Sequence, residues 1–288
     1  MTYPQYPTNW ESGTAGANGS TLAGYIDAKS EVNGYDGNCA RYNHQTVLDQ
    51  IEVLLLEQRE SAAFQRKDIR TALNIAPKAA VKIMCCGDSI TAGLASSDGV
   101  GYPGWMVDHL DQQNIPMTLS YNAHGGWEMP NVLSGLAAAL TANTPDIVTL
   151  HIGSNDAGNA TNLANFQANI TTFLQQVLAF SPVVRGIVVA LIPIAQNVDA
   201  SYQANIAQCN TDVQNAVAAL NDPRVTIADC TATTMARWNA DDTWPGQQSP
   251  PSRHTLEGMH PRNAACTKIS KAFLAAAAQW IPGYVPQP

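Results

Sequence analysis

Val81-Lys82-Ile83-Met84-Cys85-Cys86-Gly87-Asp88-Ser89-Ile90-Thr91 is the stretch on which the reading of this chain turns. Apolar residues around a single lysine make a buried strand, and a Gly-Asp-Ser turn follows at once. Open α/β sheets collect their chemistry beyond the carboxyl ends of the strands, which is where Ser89 is placed. A helix following the turn would aim its first N–H groups at whatever binds beside the serine. The segment predicts a nucleophile seated next to an oxyanion hole.

Working outward, strands and helices alternate from residue 80 onward. Strands are expected at Val81–Cys86, Met117–Tyr121, Asp146–Ile152, Val183–Ile192 and Val225–Ala228. Helices are expected at Tyr102–Gln113, Pro130–Ala142, Leu163–Phe180, Tyr202–Leu220 and Asn263–Gln279. Pro130 suits a first helical turn, and Phe166, Ile170, Phe173, Leu174 and Val177 fall on one helical face. This alternation predicts an α/β fold: a three-layer α/β/α sandwich around a five-stranded parallel sheet, with right-handed crossovers.

Upstream the composition changes. Residues 1–44 are rich in Gly, Asn, Ser, Thr and Tyr and hold few aliphatics, too few for a core of their own. Residues 45–73 read as a helix, with Val47, Leu48, Ile51, Leu54 and Leu55 at helical spacing and Ala62, Ile69 and Leu73 extending the stripe; Pro77 ends it. Two domains are expected, an arm at 1–76 and a catalytic domain at 77–288. The helix at 45–73 either packs on the main domain or serves anchoring and self-association.

The 288 residues are 45% hydrophobic and only 13% charged, with a net charge of −8. No basic run is present, which argues against nucleic acid as a partner. No apolar run approaches a membrane span, so membrane insertion is not expected. The opening Met1-Thr2-Tyr3-Pro4-Gln5 lacks a basic segment and an apolar core, so no secretory signal is expected. The six cysteines match no zinc pattern. Cys85 and Cys86 point to opposite strand faces and pack as small apolar groups. Cys230 and Cys266 are either bridged or buried as thiols.

Four segments can carry chemistry: Gly87-Asp88-Ser89, His124-Gly125-Gly126-Trp127, Gly153-Ser154-Asn155-Asp156 and Glu257-Gly258-Met259-His260-Pro261. Most lie just after strands, so a parallel sheet brings them to one edge. A serine hydroxyl needs a base, and His260 is set up for it. An imidazole needs its other nitrogen held, and Glu257 lies three residues earlier. An oxyanion needs donors, available from the N–H groups of Ser89 and Gly126 and the side-chain amide of Asn155. Asp88 shapes its turn and Asp156 holds the Asn155 loop. His124, His151 and His254 are nearby candidates, while His44 and His109 are structural. No metal-ligand spacing or phosphate loop is present, so no cofactor is required.

Taken in order, the four segments resemble the blocks of the SGNH, or GDSL-type, hydrolases over roughly residues 80–281. The resemblance implies a flavodoxin-like sheet, Ser89 as nucleophile, Gly126 and Asn155 as oxyanion donors, and His260 as base. The His-Gly-Gly-Trp form of the second block is most similar to acetylxylan-esterase-like carbohydrate esterases. The family places Asp three residues before the histidine, where this chain has Glu257; glutamate is one methylene longer and can still orient His260.

The stretch 231–256 holds Trp238, Trp244 and three prolines before His260. Its indoles, with Trp127 and His124, are candidates to stack on a sugar or cover an acyl group. A serine esterase removing small acyl groups, chiefly acetyl, from a glycan is the first functional reading. A lipase acting on longer chains is the alternative within the class. A structural or receptor-binding virion component is the alternative outside it, because residues 1–76 resemble the anchoring ends of bacteriophage tail proteins. Localisation then follows the reading: on a virion, in the cytoplasm, or released without a leader. Partners expected are the glycan ester and either a second copy, through 45–73, or a larger assembly.

Overall fold

The computed structural model describes residues 61–94, 101–180, 184–193, 200–231, 261 and 263–287. The chain divides into two compact units, Met1–Leu54 and Leu55–Pro288, and every described residue belongs to the second.

Strand β1, Val81–Gly87, is the organising element. Val81, Ile83 and Cys85 face one apolar core, while Met84 and Cys86 face the other. This is the period-two alternation of a strand covered on both sides. The other strands are β2 (Met117–Ala123), β3 (Ile147–His151), β4 (Gly186–Leu191) and β5 (Val225–Asp229). All five are parallel, in the order β2-β1-β3-β4-β5. β3 and β4 are buried throughout, whereas β2, at an edge, is largely half-exposed. The expected sandwich is the one observed.

The helices are α1 (residues 61–72), α2 (Gly101–Gln112), α3 (Met129–Asn143), α4 (Ala160–Ala164), α5 (Phe166–Phe180), α6 (Ala200–Leu220) and α7 (Asn263–Ala277). One face of the sheet carries α3, α5 and α6, whose Leu136, Phe173 and Val213 pack on Met84, Val148 and Val189. The other carries α2 and α7, whose Met106, Leu110, Ile269 and Leu274 pack on Ile83, Ile147 and Val188.

One local expectation is corrected. The helix expected at Leu163–Phe180 is broken at Asn165 into α4 and α5. Asn159 caps α4 by accepting from the N–H groups of Thr161 and Asn162, which starts helical structure earlier than periodicity indicated. Residues 88–94 form successive turns, with N–H groups of Ala92 and Leu94 donating to the carbonyls of Asp88 and Ser89, and α2 opens only at Gly101. Cys230 and Cys266 are buried free thiols rather than a bridge.

Of the helix expected over 45–73, the described part runs to residue 72 and is followed by Asn74 in the left-handed conformation. Arg66 and Arg70 of α1 both pair with the Asp111 carboxylate of α2, at 2.9 and 2.7 Å.

Candidate active site

Strand register brings the relevant loops level. Gly87 of β1 lies opposite Ala123 of β2 on one side and His151 of β3 on the other. The loops beginning at Asp88, His124 and Ile152 therefore leave the sheet side by side. β1 is also where the winding reverses, since β2 lies on one side of it and β3, β4 and β5 on the other. In open α/β sheets that switch point opens a crevice.

Gly87 lets the Ser89 turn sit close to β3. A side chain there would meet the His151 carbonyl oxygen and Thr91 Oγ1 at 2.2 Å, well inside contact distance. Ser89 follows at the crest of the turn and is 8% exposed. Asp88 is fully buried, and its Oδ1 accepts the Ile90 N–H at 2.9 Å. The aspartate shapes the turn, as its position in the sequence indicated.

The second loop crosses beside the serine. The His124 N–H donates to the Gly87 carbonyl at 3.4 Å, and Trp127 N–H closes the turn onto the His124 carbonyl at 3.2 Å. A Cβ placed on Gly125 would lie 4.0 Å from Ser89 Cβ. Gly126 has φ +79°, a conformation that suits glycine, and a Cβ there would point into open space. The rings of His124 and Trp127 lie 5.8 Å apart, tilted by 31°.

The third loop completes the group. Asn155 Nδ2 donates to the Trp127 carbonyl at 2.9 Å. A carbonyl only accepts, so this bond assigns the amide's orientation and leaves its second N–H for another acceptor. Gly126 thus lies between a residue that approaches Ser89 and one bonded to Asn155. Asp156 Oδ1 accepts the Met129 N–H at 2.9 Å, which ties the Asn155 loop to the first turn of α3 and sets a carboxyl at a helix N-terminus. Glu128 extends the tie, taking Asn159 Nδ2 at 3.1 Å and Asn162 Nδ2 on its other oxygen.

Burial governs the electrostatics. It pushes the Asp88 carboxyl up to about 7, with the Asp156 charge adding to the rise. It pushes the Asp156 carboxyl up to about 6, with Glu128 adding. In both carboxyls burial disfavours the charged form. His151 is fully buried against Tyr102 and Phe273, with its imidazole pushed down to about 4 by burial, so it packs inside the core. His109, mostly buried, meets Thr267 of α7 through Nε2 at 3.2 Å, a contact between helices.

Ser89, Gly126 and Asn155 are brought together, with His124 and Trp127 alongside. His260, Glu257, Trp238, Trp244 and His254 lie outside the described residues. Among the described residues no group of three or more His, Cys, Asp or Glu is arranged to hold a metal ion. Three contacts were not anticipated from the sequence: the Trp127 carbonyl, Glu128, and α6, whose Tyr202 hydroxyl donates to the Ser154 carbonyl at 2.5 Å. The only signal for the last was polar residues at helical spacing, Tyr202 and Asn205.

Comparison with known proteins bears on the family and the fold. The sequence pattern described as the GDSL-like lipase/acylhydrolase family matches residues 85–266. An arylesterase from Vibrio mimicus is 30% identical over 84 residues, which are 29% of this chain and 42% of that protein. The chain thus spans less than half the length of this curated relative. A catalytic mutant of Axe2, an acetylxylan esterase from Geobacillus stearothermophilus, superposes with a TM-score of 0.56 at 16% identity, covering 72% of this chain and 98% of that one. A family 3 carbohydrate esterase from Clostridium thermocellum gives 0.54 at 21% identity, covering 70% and 97%. At such identities the likeness to these structures is one of fold.

Proposed function

The chain belongs to the GDSL-like lipase/acylhydrolase family, and on that premise we propose that it is a serine esterase removing small acyl groups, acetyl first among them, from a carbohydrate. The observation that carries this reading is the convergence of Ser89, Gly126 and Asn155 at the β1/β3 switch point, with the Asn155 amide oriented by the Trp127 carbonyl.

In this reading Ser89 Oγ attacks the ester carbonyl carbon as its proton passes to His260, held by Glu257. The carbonyl oxygen becomes an oxyanion facing the N–H groups of Ser89 and Gly126 and the free N–H of Asn155. Collapse expels the sugar hydroxyl, which takes the proton back from His260. Water then attacks the acyl-enzyme, giving one proton to His260, and the acid leaves as Ser89 recovers its hydrogen. His124, Trp127, Trp238 and Trp244 are the proposed contacts to the glycan. No step calls for a cofactor. Support for a glycan ester comes from the fold shared with two carbohydrate esterases and from the low charge of the chain.

Hydrolysis of p-nitrophenyl acetate, butyrate and octanoate by wild type and Ser89→Ala tests the reading. Loss of about 1,000-fold or more in the variant, with acetate the preferred ester, is expected. A preference for octanoate would favour the lipase alternative, and equal rates for the two proteins would overturn the assignment.

One observation favours a second role, attachment. Phe64, Ile69, Leu73 and Ile75 are exposed at 67%, 57%, 66% and 48%, a concentration of apolar side chains in and just after α1. Phe64, Ile75, Pro77 and Pro116 also line an open cleft. Pro77 and Pro116 precede β1 and β2, so the cleft is at the amino edge, away from Ser89. The arm at 1–76 would hold the esterase on a second copy or a larger assembly, such as a phage tail trimming a host glycan. Solution mass decides it. An oligomer that becomes a monomer on deletion of residues 1–76 is expected, and a monomeric full-length chain argues against it. Among the described residues no helix is long and apolar enough to cross a membrane.

A further inference from the structure

We propose that Tyr202 and Asn205 of α6 are positioning residues of the esterase reaction, holding the Asn155 amide in place through the carbonyls that flank it. The proposal rests on the oxyanion role given to Asn155 above.

The segment between β3 and α4 has few regular ladder partners, so its buried carbonyls need partners from elsewhere. α6 supplies them from one helical face. Cys209 Sγ meets the Gly153 carbonyl at 3.8 Å, the Tyr202 hydroxyl donates to the Ser154 carbonyl at 2.5 Å, and Asn205 Nδ2 donates to the Ala157 carbonyl at 2.8 Å. Positions 202, 205 and 209 follow the three- and four-residue spacing that puts side chains on one face. On the far side the same segment is tied to the start of α3 through Trp127, Glu128 and Met129.

Asn155 is therefore strung between two anchors. The α3 side sets which way its amide faces, and the α6 side sets where its backbone sits. Tyr202 matters more than Asn205, because Ser154 is the immediate neighbour of Asn155 whereas Ala157 is two residues beyond it. These α6 groups bond to main-chain carbonyls of the segment that carries Asn155, and in this proposal their effect on the reaction passes through Asn155.

The test is a double-mutant cycle on p-nitrophenyl acetate with Tyr202→Phe and Asn155→Ala. A displaced donor keeps part of the roughly 100-fold that a well-placed oxyanion donor supplies, so Tyr202→Phe should lower kcat about tenfold, with KM changed less than about twofold. Asn205→Leu should lower kcat by a smaller factor. In the Asn155→Ala background, Tyr202→Phe should cost nothing further. Additive losses in the cycle, or an unchanged kcat in Tyr202→Phe, would overturn the proposal even if Ser89→Ala confirms the esterase.

Hydrogen exchange of the 153–158 peptide gives a readout that needs no turnover. Faster exchange there in Tyr202→Phe is expected, and unchanged exchange counts against the clamp. If Ser89→Ala loses no activity, it is the esterase reading that fails, and the exchange result alone then judges the clamp.

Discussion

The two faces of the sheet treat its carboxyl edge differently. On the α3/α5/α6 face, Asp156, Asn155, Tyr202 and Asn205 each spend a hydrogen bond on the backbone of a neighbouring element. On the α2/α7 face, Tyr102 stacks on Phe273 at 4.9 Å with planes 8° apart, and His151 is sealed behind them. Neither ring nitrogen of His151 has a hydrogen-bond partner among the described residues. The first face uses polar groups to set loop geometry, while the second uses packed rings to hold the fold. Damage to the two faces should therefore appear in different measurements.

The largest contrast comes from one truncation on each face. Phe273→Ala should cost about 3–5 kcal/mol of stability in chemical denaturation, because it empties a close-packed site, while kcat of the folded fraction changes little. Asn155→Ala should do the opposite, lowering kcat by about 100- to 1,000-fold with the unfolding midpoint nearly unmoved. If both variants lose stability and activity in the same proportion, the division between the faces is wrong.

Acid stability sharpens the comparison on the dry face. The folded-state His151 value is about 4, below the ordinary 6.5. Unfolded chains bind the proton first, so the stability of the neutral imidazole is fully present above pH 6.5 and is lost as pH falls through about 4. His151→Leu should flatten that acid slope, as read from thermal midpoints between pH 7 and about 4. A slope identical to wild type would mean that His151 is not sealed from solvent.

The smallest effect belongs to the polar face and has the reverse sign. Asp88 is raised from 3.8 to about 7, so its contribution is fully present below pH 3.8 and is lost as pH rises through about 7. Asp88→Asn keeps an acceptor for the Ile90 N–H and removes the ionisation. Its thermal midpoint should gain on wild type as pH rises from 5 to about 8. Part of the alkaline slope should survive, because Asp156 is also raised, to about 6.

Much of the fold was legible from residues alone. The Val81–Gly87 run, the helical stripe of Phe166 to Val177 and the strand-helix alternation are short-range patterns, and each reappears close to where it was read. The early start of α4 was not legible because the Asn159 cap lies outside the apolar period, and the break at Asn165, whose N–H turns to the Asn162 carbonyl, leaves that period uninterrupted. Ser89, Gly126 and Asn155 were legible as a group because parallel strands deliver their following loops to one edge.

What needed the tertiary structure were the bonds between distant segments. Asn155 finds the Trp127 carbonyl 28 residues away, and Tyr202 finds Ser154 across 48. Both acceptors are main-chain carbonyls, which every residue carries, so residue identity alone does not mark them. The same holds for His151 and Asp88: their titration depends on how completely neighbouring elements exclude water. Sequence periodicity reports which face of a strand or helix is apolar. Which backbone groups meet across the closed core is decided only when the layers pack, because each such bond depends on the register of elements far apart in the chain.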